Sequence, residues 1–369
     1  MLEYTGKYAS CKVMIDDIEE TAVQQIYSFL NCPAFEGAQI RIMPDVHAGA
    51  GAVVGFTSTL TDKLIPNVIG VDIGCGVRAV SLGKIPNLNR RFQELDDFIR
   101  KEIPSGFAVH SEKPSCVSPK DQDFVDVSEA TEQDSTRVLK SLCTLGGGNH
   151  FIEIGKDQDG EHWLTVHTGS RNFGLRIANF HQQKAVRTVG KGHGLEWLEG
   201  ADKDLYLQHM KVAQVFALSN RNRIIDQIRY GFFGIETSSW DVDSVHNYID
   251  FKDSMIRKGA ISAHDNELVV IPWNMRDGLV IGWGKGNLEW NLSAPHGAGR
   301  VLGRGQAKKS LQLEDFEKQM EGIWTSCVSK STLDESPAVY KSYKIIRDAI
   351  ADTVEVSRVV KPMYNFKAE

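Results

Sequence analysis

The chain of 369 residues lacks the features that mark several broad classes of protein. Its formal net charge is -6 and its pI is about 6.0, so overall charge does not indicate nucleic-acid binding, and any such contact must be a local patch. No segment approaches the roughly 18 apolar residues that a membrane helix needs, and the start, MLEYTGKYAS, lacks the basic-then-apolar pattern of a signal peptide. We therefore expect a protein that is neither exported nor membrane-spanning.

Cysteine pairs are also lacking. None of the six cysteines forms a CxxC pair or the spacing of a disulfide framework, which predicts thiols in a reducing compartment, with the cytoplasm as the default. No GxxxxGK[ST] phosphate loop and no repeat of fixed period occur, so neither a Walker-type site nor a repeat architecture is expected. The six cysteines are Cys11, Cys32, Cys75, Cys116, Cys143 and Cys327.

The elements that are present alternate between helical and strand patterns. Residues 16–30 have the apolar spacing of an amphipathic helix, and QIRIM, AVVGFTSTL and GVRAVSLG are short and rich in β-branched residues, as strands are. Residues 110–135 are polar and contain proline, which predicts a surface loop, whereas 202–230 predict one long helix, an arm or a lid. With no convincing linker, the pattern predicts a single mixed α/β domain over residues 1–369.

Several loops flanked by glycine or asparagine carry side chains that can bind metal ions. Asp72 and Cys75 share the tight turn GVDIGCGV, and His150, His167 and His246 each lie at or near the end of an apolar or mixed segment. A carboxylate, a thiolate and imidazoles suit zinc, cobalt, iron or manganese and do not suit an all-oxygen calcium site. The alternative is that Cys75 is a small buried apolar residue and that Asp72 caps a turn.

Two glycine-rich segments, GGGNH and HGAGR, bring successive backbone N–H groups together beside histidines. Such a run can bind phosphate oxygens, although a tight turn is the structural alternative. GWGKGN at 282–287 is interpreted as a hairpin turn.

Seven motifs follow one another along nearly the whole chain: PDVHAGAG (44–51), GVDIGCGV (70–77), LGGGNHFIE (145–153), HTGSR (167–171), HN (246–247), SAPHGAGRVLGR (293–304) and VYK (339–341). In order and spacing, these motifs resemble the RtcB family of RNA ligases. The resemblance implies central β-sheets surrounded by helices, with a deep metal and nucleotide cleft.

The resemblance also implies roles for individual residues. It implies a two-manganese centre in which Cys75 touches both ions, His150 completes the first site, and Asp72, His167 and His246 complete the second. His296 would attack the α-phosphate of GTP and carry GMP, and Arg171 would bind phosphate of the RNA. The residues expected to hold the guanine nucleotide are Asp45, Asn149, Glu153, Asn274, Gly297, Ala298, Gly299, Tyr340 and Lys367.

The implied reaction joins RNA ends that carry a 3′-phosphate or 2′,3′-cyclic phosphate to ends that carry a 5′-hydroxyl. GMP-histidine and RNA-ppG would be the intermediates, and damaged tRNA or ribosomal RNA would be candidate substrates. A covalent step divides one difficult transfer into easier ones, and two metal ions neutralise phosphate charge. An archease-like activator is a possible partner.

The sequence departs from the family pattern at three places. Ala294 and Pro295 precede the nucleophilic histidine, where Ser-Cys or Thr-Cys is usual. PWNMRDG at 272–278 replaces the usual PGSMG turn, with Asn274 in place of its serine, and Cys143 stands where the pattern has glycine. These changes indicate a short, divergent branch.

Two other functions remain open from the sequence. A metal-dependent phosphoesterase would keep the metal centre without using GTP, although the retained nucleotide residues argue against it. A non-catalytic RNA- or ribosome-binding protein would use a local basic track such as Arg221, Arg223, Arg229, Lys308 and Lys309, whose alternative is a solvated helix face. The remaining histidines are expected to be structural or at the surface: His47, His181, His193, His209 and His264.

Overall fold

The computed structural model describes residues 1–115, 117–118, 121–192 and 194–368. Cys116 and His193, both considered above, lie outside the described residues. The helices and sheets of the chain confirm the mixed α/β class. Within these ranges, no helix combines the length and the apolar character that crossing a membrane requires.

The first sheet has six strands in the order β1-β2-β3-β4-β10-β9, and only the β2–β3 pair is parallel. Short β-branched segments form it, and its buried side chains pack with α1 into the largest apolar cluster. The bounds are β1 (Leu2–Thr5), β2 (Ser10–Val13), β3 (Ile40–His47), β4 (Val54–Thr59), β9 (Asn247–Asp250), β10 (Met255–Lys258) and α1 (Glu20–Leu30).

The second sheet has seven antiparallel strands in the order β12-β13-β15-β6-β7-β5-β8. Its two edge strands approach each other, because the N–H of Val270 donates to Ser244 Oγ at 2.9 Å, so the sheet curls toward closure. The bounds are β5 (Gly76–Gly83), β6 (Phe151–Lys156), β7 (His162–Thr168), β8 (Asp241–Val245), β12 (Leu268–Asn274), β13 (Gly278–Gly284) and β15 (Val354–Lys367).

A two-stranded sheet and the remaining helices complete the fold. The small sheet pairs β11 with β14 in antiparallel register. The bounds are β11 (Ala260–Ser262), β14 (Ser293–Pro295), α2 (Phe92–Glu102), α3 (Gln122–Ala130), α4 (Ser135–Lys140), α5 (Arg171–Val189), α6 (Gly200–Gly231), α7 (Arg304–Ser310), α8 (Leu313–Gln319) and α9 (Tyr343–Ala349).

Two interpretations of the sequence are corrected by the packing. The long helix α6 is not an arm or lid, because side chains along its length, including Phe216, Ile224 and Ile228, are buried between the other elements. The segment 110–135 is not a continuous surface loop, because α3 lies within it and buries Phe124 against α6. In both segments tertiary contact decides the environment of the helix, and periodicity alone does not report it.

Candidate metal and nucleotide site

Four neighbouring strands of the second sheet bring the predicted metal ligands to the same end of the sheet. His150 precedes β6, His167 lies near the end of β7, Cys75 precedes β5 and His246 follows β8. Because these strands are antiparallel neighbours, the start of one lies beside the end of the next. Residues that are up to 171 positions apart in the sequence therefore meet at this end of the sheet.

The ligand atoms of these side chains are close together and buried. Cys75 Sγ lies 3.5 Å from His150 Nε2 and 3.3 Å from His167 Nε2, and His167 Nε2 lies 3.3 Å from His246 Nε2. His150 Nδ1 lies 2.9 Å from the carbonyl oxygen of Leu145, and His167 Nδ1 lies 3.1 Å from that of Asn149. Donation from each Nδ1 to its carbonyl leaves the Nε2 lone pair directed at the cluster, as metal-binding histidines require.

The carboxylate of Asp72 joins the cluster through His150. Its Oδ2 lies 2.9 Å from His150 Nε2, and its Oδ1 accepts a hydrogen bond from the N–H of Ser170 at 3.0 Å. A Cβ on Gly169 would collide with this carboxylate, so the glycine makes room for it. In the structure Asp72 therefore contacts His150, and His246 contacts His167. The division of these ligands between two ions stays a prediction.

Burial of the cluster shifts the pKa values of its side chains toward their neutral forms. Burial, followed by neighbouring cationic groups and imidazoles, holds the pKa values of His167 and His246 well below the ordinary range, so both rings are neutral at pH 7. Burial and the charge of Asp72 raise the pKa of the Cys75 thiol well above its ordinary value. His246 Nδ1 is a buried polar atom without a hydrogen-bond partner among the described residues. The ligand atoms of Cys75, His150 and His167 all lie within 4.8 Å of one another, so this buried group can hold a metal ion.

His296 lies directly after β14, against the cluster of predicted metal ligands, which is called the metal cluster below. Its ring centroid is 4.8 Å from that of His246, and its Nδ1 lies 2.5 Å from Oδ2 of Asp45, a fully buried carboxylate of β3. In the neutral ring this pairing places the proton on Nδ1, so that the lone pair of Nε2 is the nucleophile. Gly299 has a φ of +73°, and a Cβ there would collide with the backbone of Asp45, so the HGAGR turn needs a glycine at this position.

A cavity opens beside His296 and the metal cluster. All the predicted nucleotide residues except Asp45 line it, and Asp45 instead lies behind the ring of His296. The predicted residues that line it are Asn149, Glu153, Asn274, Gly297, Ala298, Gly299, Tyr340 and Lys367.

A carboxylate that the sequence analysis missed organises one wall of this cavity. Glu335 is 2% exposed, its Oε2 accepts from Lys367 Nζ at 2.9 Å and from the hydroxyl of Tyr340 at 2.8 Å, and its Oε1 accepts from Arg304 Nη1 at 2.7 Å. Burial acts to raise the pKa of Glu335, but the charges of Lys367 and Arg304 outweigh it and hold the pKa below its usual value. In the sequence, the one feature that points to Glu335 is its position five residues before Tyr340, and the sequence does not predict that its side chain is buried.

Two further residues of the cavity wall differ in how their polar groups are used. Glu153 is 3% exposed, and burial raises the pKa of its carboxyl to about 8 even though it accepts a hydrogen bond from Asn365 Nδ2 at 2.9 Å. Asn274 lines the cavity but uses its amide within its own turn, since its Oδ1 accepts from the N–H groups of Arg276 and Asp277. Asn274 therefore stabilises the 274–277 turn.

A second, larger cavity lies on the other side of the metal cluster. Asp72 and His150 line it, whereas His167 and His246 line the first cavity, so the cluster separates the two spaces. Arg171 lies in this larger cavity, where its Nη2 donates to the carbonyl of Gly106 at 2.9 Å. A Cβ on Gly146 would collide with the guanidinium of Arg171, so that glycine keeps the space for it open.

The basic track that would favour a non-catalytic RNA-binding protein is not formed by the helix α6. Arg221 is fully buried and forms a salt bridge with Asp243, and Arg223 forms one with Asp121. Arg229 is paired with Asp226 within the helix. Arg221 and Arg223 hold α6 to other segments, Arg229 is paired within the helix, and these ion pairs do not leave a free basic track.

Comparison with known proteins gives one consistent family. A family model described as "tRNA-splicing ligase RtcB" matches residues 25–131 and 108–368. The RNA-splicing ligase RtcB of Escherichia coli (strain K12) is 30% identical, and the alignment covers 92% of this chain and 92% of that protein. RNA-splicing ligase RtcB2 of Escherichia coli (strain ATCC 25922) is 29% identical over 88% of this chain and 86% of its own length. The tRNA-splicing ligase RtcB of Pyrobaculum aerophilum is 26% identical over 87% and 85%.

Proposed function

The chain belongs to the RtcB family, and from that premise we propose that it is a GTP-dependent RNA ligase. It would join RNA 3′-phosphate or 2′,3′-cyclic phosphate ends to 5′-hydroxyl ends, in the repair or splicing of tRNA or ribosomal RNA. Residues 1–369 would act as one catalytic domain in the cytoplasm, assisted by an archease-like activator if one is needed.

Two manganese ions are the proposed metals. Cys75 would contact both ions, His150 would complete one site, and Asp72, His167 and His246 would complete the other. Two observations support this assignment. The ligand atoms lie close to one another, and the imidazoles of His167 and His246 are neutral. When bound, the ions would neutralise phosphate charge and orient the reacting groups.

The protein's own residues would activate GTP. Asp45 accepts the Nδ1 proton of His296, so the Nε2 lone pair attacks the α-phosphate, a nitrogen–phosphorus bond forms, and the bond to the β-phosphate oxygen breaks to release pyrophosphate. Glu153 faces the same cavity as a carboxyl that can accept the two N–H groups on the Watson–Crick edge of guanine, once its proton is released. Lys367 and Tyr340 would hold the nucleotide from the wall that Glu335 organises.

The joining steps would then use the larger cavity. A terminal RNA 3′-phosphate attacks the phosphorus on His296, the nitrogen–phosphorus bond breaks, and RNA-ppG results. The oxygen of a 5′-hydroxyl next attacks the 3′-phosphate, loses its proton and displaces GMP, so that a phosphodiester forms. Water would first open a 2′,3′-cyclic phosphate end. Arg171, which lines the larger cavity, would bind phosphate of the RNA.

The pairing of His296 with Asp45, beside the metal cluster and at the wall of the nucleotide cavity, carries this proposal. A metal-dependent phosphoesterase has no use for the cavity that the predicted nucleotide residues line. A non-catalytic RNA-binding protein has no use for the converging ligands either. Both alternatives therefore explain less of the site than a ligase does.

The test is covalent labelling with GTP carrying a radioactive α-phosphate, in the presence of manganese, followed by denaturing electrophoresis. The wild type should take up a label that is stable in alkali and lost in acid, as a phosphoramidate is, and His296→Ala should take up none. His264→Ala is the matched control, because the ring of His264 contacts Asp253 and Glu267 away from the site. If folded, metal-loaded wild type stays unlabelled with RNA and an activator present, the ligase proposal is wrong. Phosphate-ester hydrolysis that survives His296→Ala would then favour the phosphoesterase.

A further inference from the structure

The turn Ser105–Ala108 presents an aromatic side chain at the larger cavity. Phe107 is 99% exposed, and it lines this cavity together with the charged side chains of Arg137 and Arg171. A single exposed phenylalanine carries little meaning by itself, because such residues are common on protein surfaces. The surroundings of Phe107, however, indicate a binding role for its ring.

The backbone of this turn is fixed by two arginines. Arg171 Nη2 donates to the carbonyl of Gly106 at 2.9 Å, and Arg137 Nη2 donates to that of Phe107 at 3.4 Å. The N–H of Gly106 donates to the carbonyl of Gly146 at 3.0 Å, and the N–H of Ala108 donates to that of Ser105 at 3.1 Å. The backbone that carries Phe107 is therefore held at a defined position, while the ring itself stays exposed.

Three arginines line the same cavity without a carboxylate partner. Among the described residues, Arg137, Arg171 and Arg176 form no salt bridge, in contrast to the paired arginines of α6. Each acidic side chain of this cavity has partners of its own: Asp134 caps α4, Asp334 is paired with Arg304 and Lys308, Glu335 is paired with Arg304 and Lys367, and Asp72 contacts His150. The free cationic charge is complementary to a phosphate backbone.

We propose that Phe107 is a stacking platform for the base of the terminal nucleotide of a single-stranded RNA end, whose phosphates lie along Arg137, Arg171 and Arg176. The inference rests on the proposed function and names the part of the RNA that the cavity recognises. An aromatic ring beside a cationic groove binds single strands without reading their sequence, because every base has a π face. The platform therefore accepts any terminal base and requires that the end be unpaired.

The test measures RNA affinity with and without the terminal base. Fluorescence anisotropy gives the Kd of oligonucleotides whose terminal nucleotide is normal or abasic, at the 3′-phosphate end in one arm and at the 5′-hydroxyl end in the other. Phe107→Ala should raise the Kd of normal RNA roughly 5- to 100-fold, the range for loss of one base stack, and Phe107→Trp should restore it. With RNA that is abasic at the recognised end, wild type and Phe107→Ala should bind alike.

Phe251→Ala is the matched control, since Phe251 is also exposed but lies in the turn between β9 and β10, outside the cavity. The inference fails if Phe107→Ala binds normal RNA as tightly as the wild type, if Phe251→Ala weakens binding equally, or if the loss is the same for abasic ends in both arms. Labelling of His296 by GTP needs no RNA and reports separately on the ligase proposal. An unlabelled enzyme whose RNA binding still depends on Phe107 would refute the ligase and keep the platform.

Discussion

Glu153 is a buried carboxyl whose ionisation should make the stability of the protein depend on pH. Burial raises its pKa to about 8 in the folded protein, against about 4.5 in the unfolded chain. Because the folded pKa is the higher one, its contribution to stability is full below about pH 4.5 and is lost as pH rises through 8. Between pH 6 and pH 9 the loss is about 3 kcal/mol, from roughly two pKa units at 1.36 kcal/mol each.

Glu153→Gln keeps the shape and the hydrogen bond to Asn365 but cannot ionise. The free energy of unfolding should therefore fall less in Glu153→Gln than in the wild type between pH 6 and pH 9, with a difference of about 3 kcal/mol. The assay is urea denaturation of the metal-free protein at several pH values, with the exposed Glu355→Gln as the control for removing one carboxylate. Parallel pH profiles for the wild type and Glu153→Gln would refute the reasoning.

Three other substitutions test the site and its support. Asp45→Asn should slow labelling of His296 about 100-fold, because an amide N–H facing Nδ1 favours the wrong tautomer, and an unchanged rate in the gel assay would contradict this. Gly169→Ala should lower metal affinity at least about tenfold by displacing the carboxylate of Asp72, which metal analysis after dialysis measures, and full metal content would argue against it. Arg221→Met should lower the free energy of unfolding by about 3–5 kcal/mol, because it leaves a carboxylate partner uncompensated, and an unchanged urea midpoint would exclude that role.

Local sequence predicted most of the elements but not their environments. Strand segments such as AVVGFTSTL correspond to β4, because β-branched side chains and flanking turns are local properties. The helix predicted at 202–230 was found as α6, yet its interpretation as an arm was wrong, since α6 is packed on several sides and its apolar positions do not form one narrow stripe. Cys143 has a φ of +60° at a position where the family pattern has glycine, a strain that no propensity reports.

The sequence by itself determined which chemistry is available: Cys75, the histidines near strand ends and the HGAGR turn are motifs whose residue types restrict the site to metal and phosphate chemistry. The tertiary structure alone decided which atoms meet. Antiparallel pairing brings the termini of distant strands to the same end of the sheet, which groups Asp72 with His150. Burial depends on every neighbouring element. It makes Glu335 an acceptor of several hydrogen bonds and Arg221 one partner of a structural ion pair. Neither outcome could be predicted from the sequence, because the dielectric environment and the partners of a charged side chain arise only when remote segments pack together.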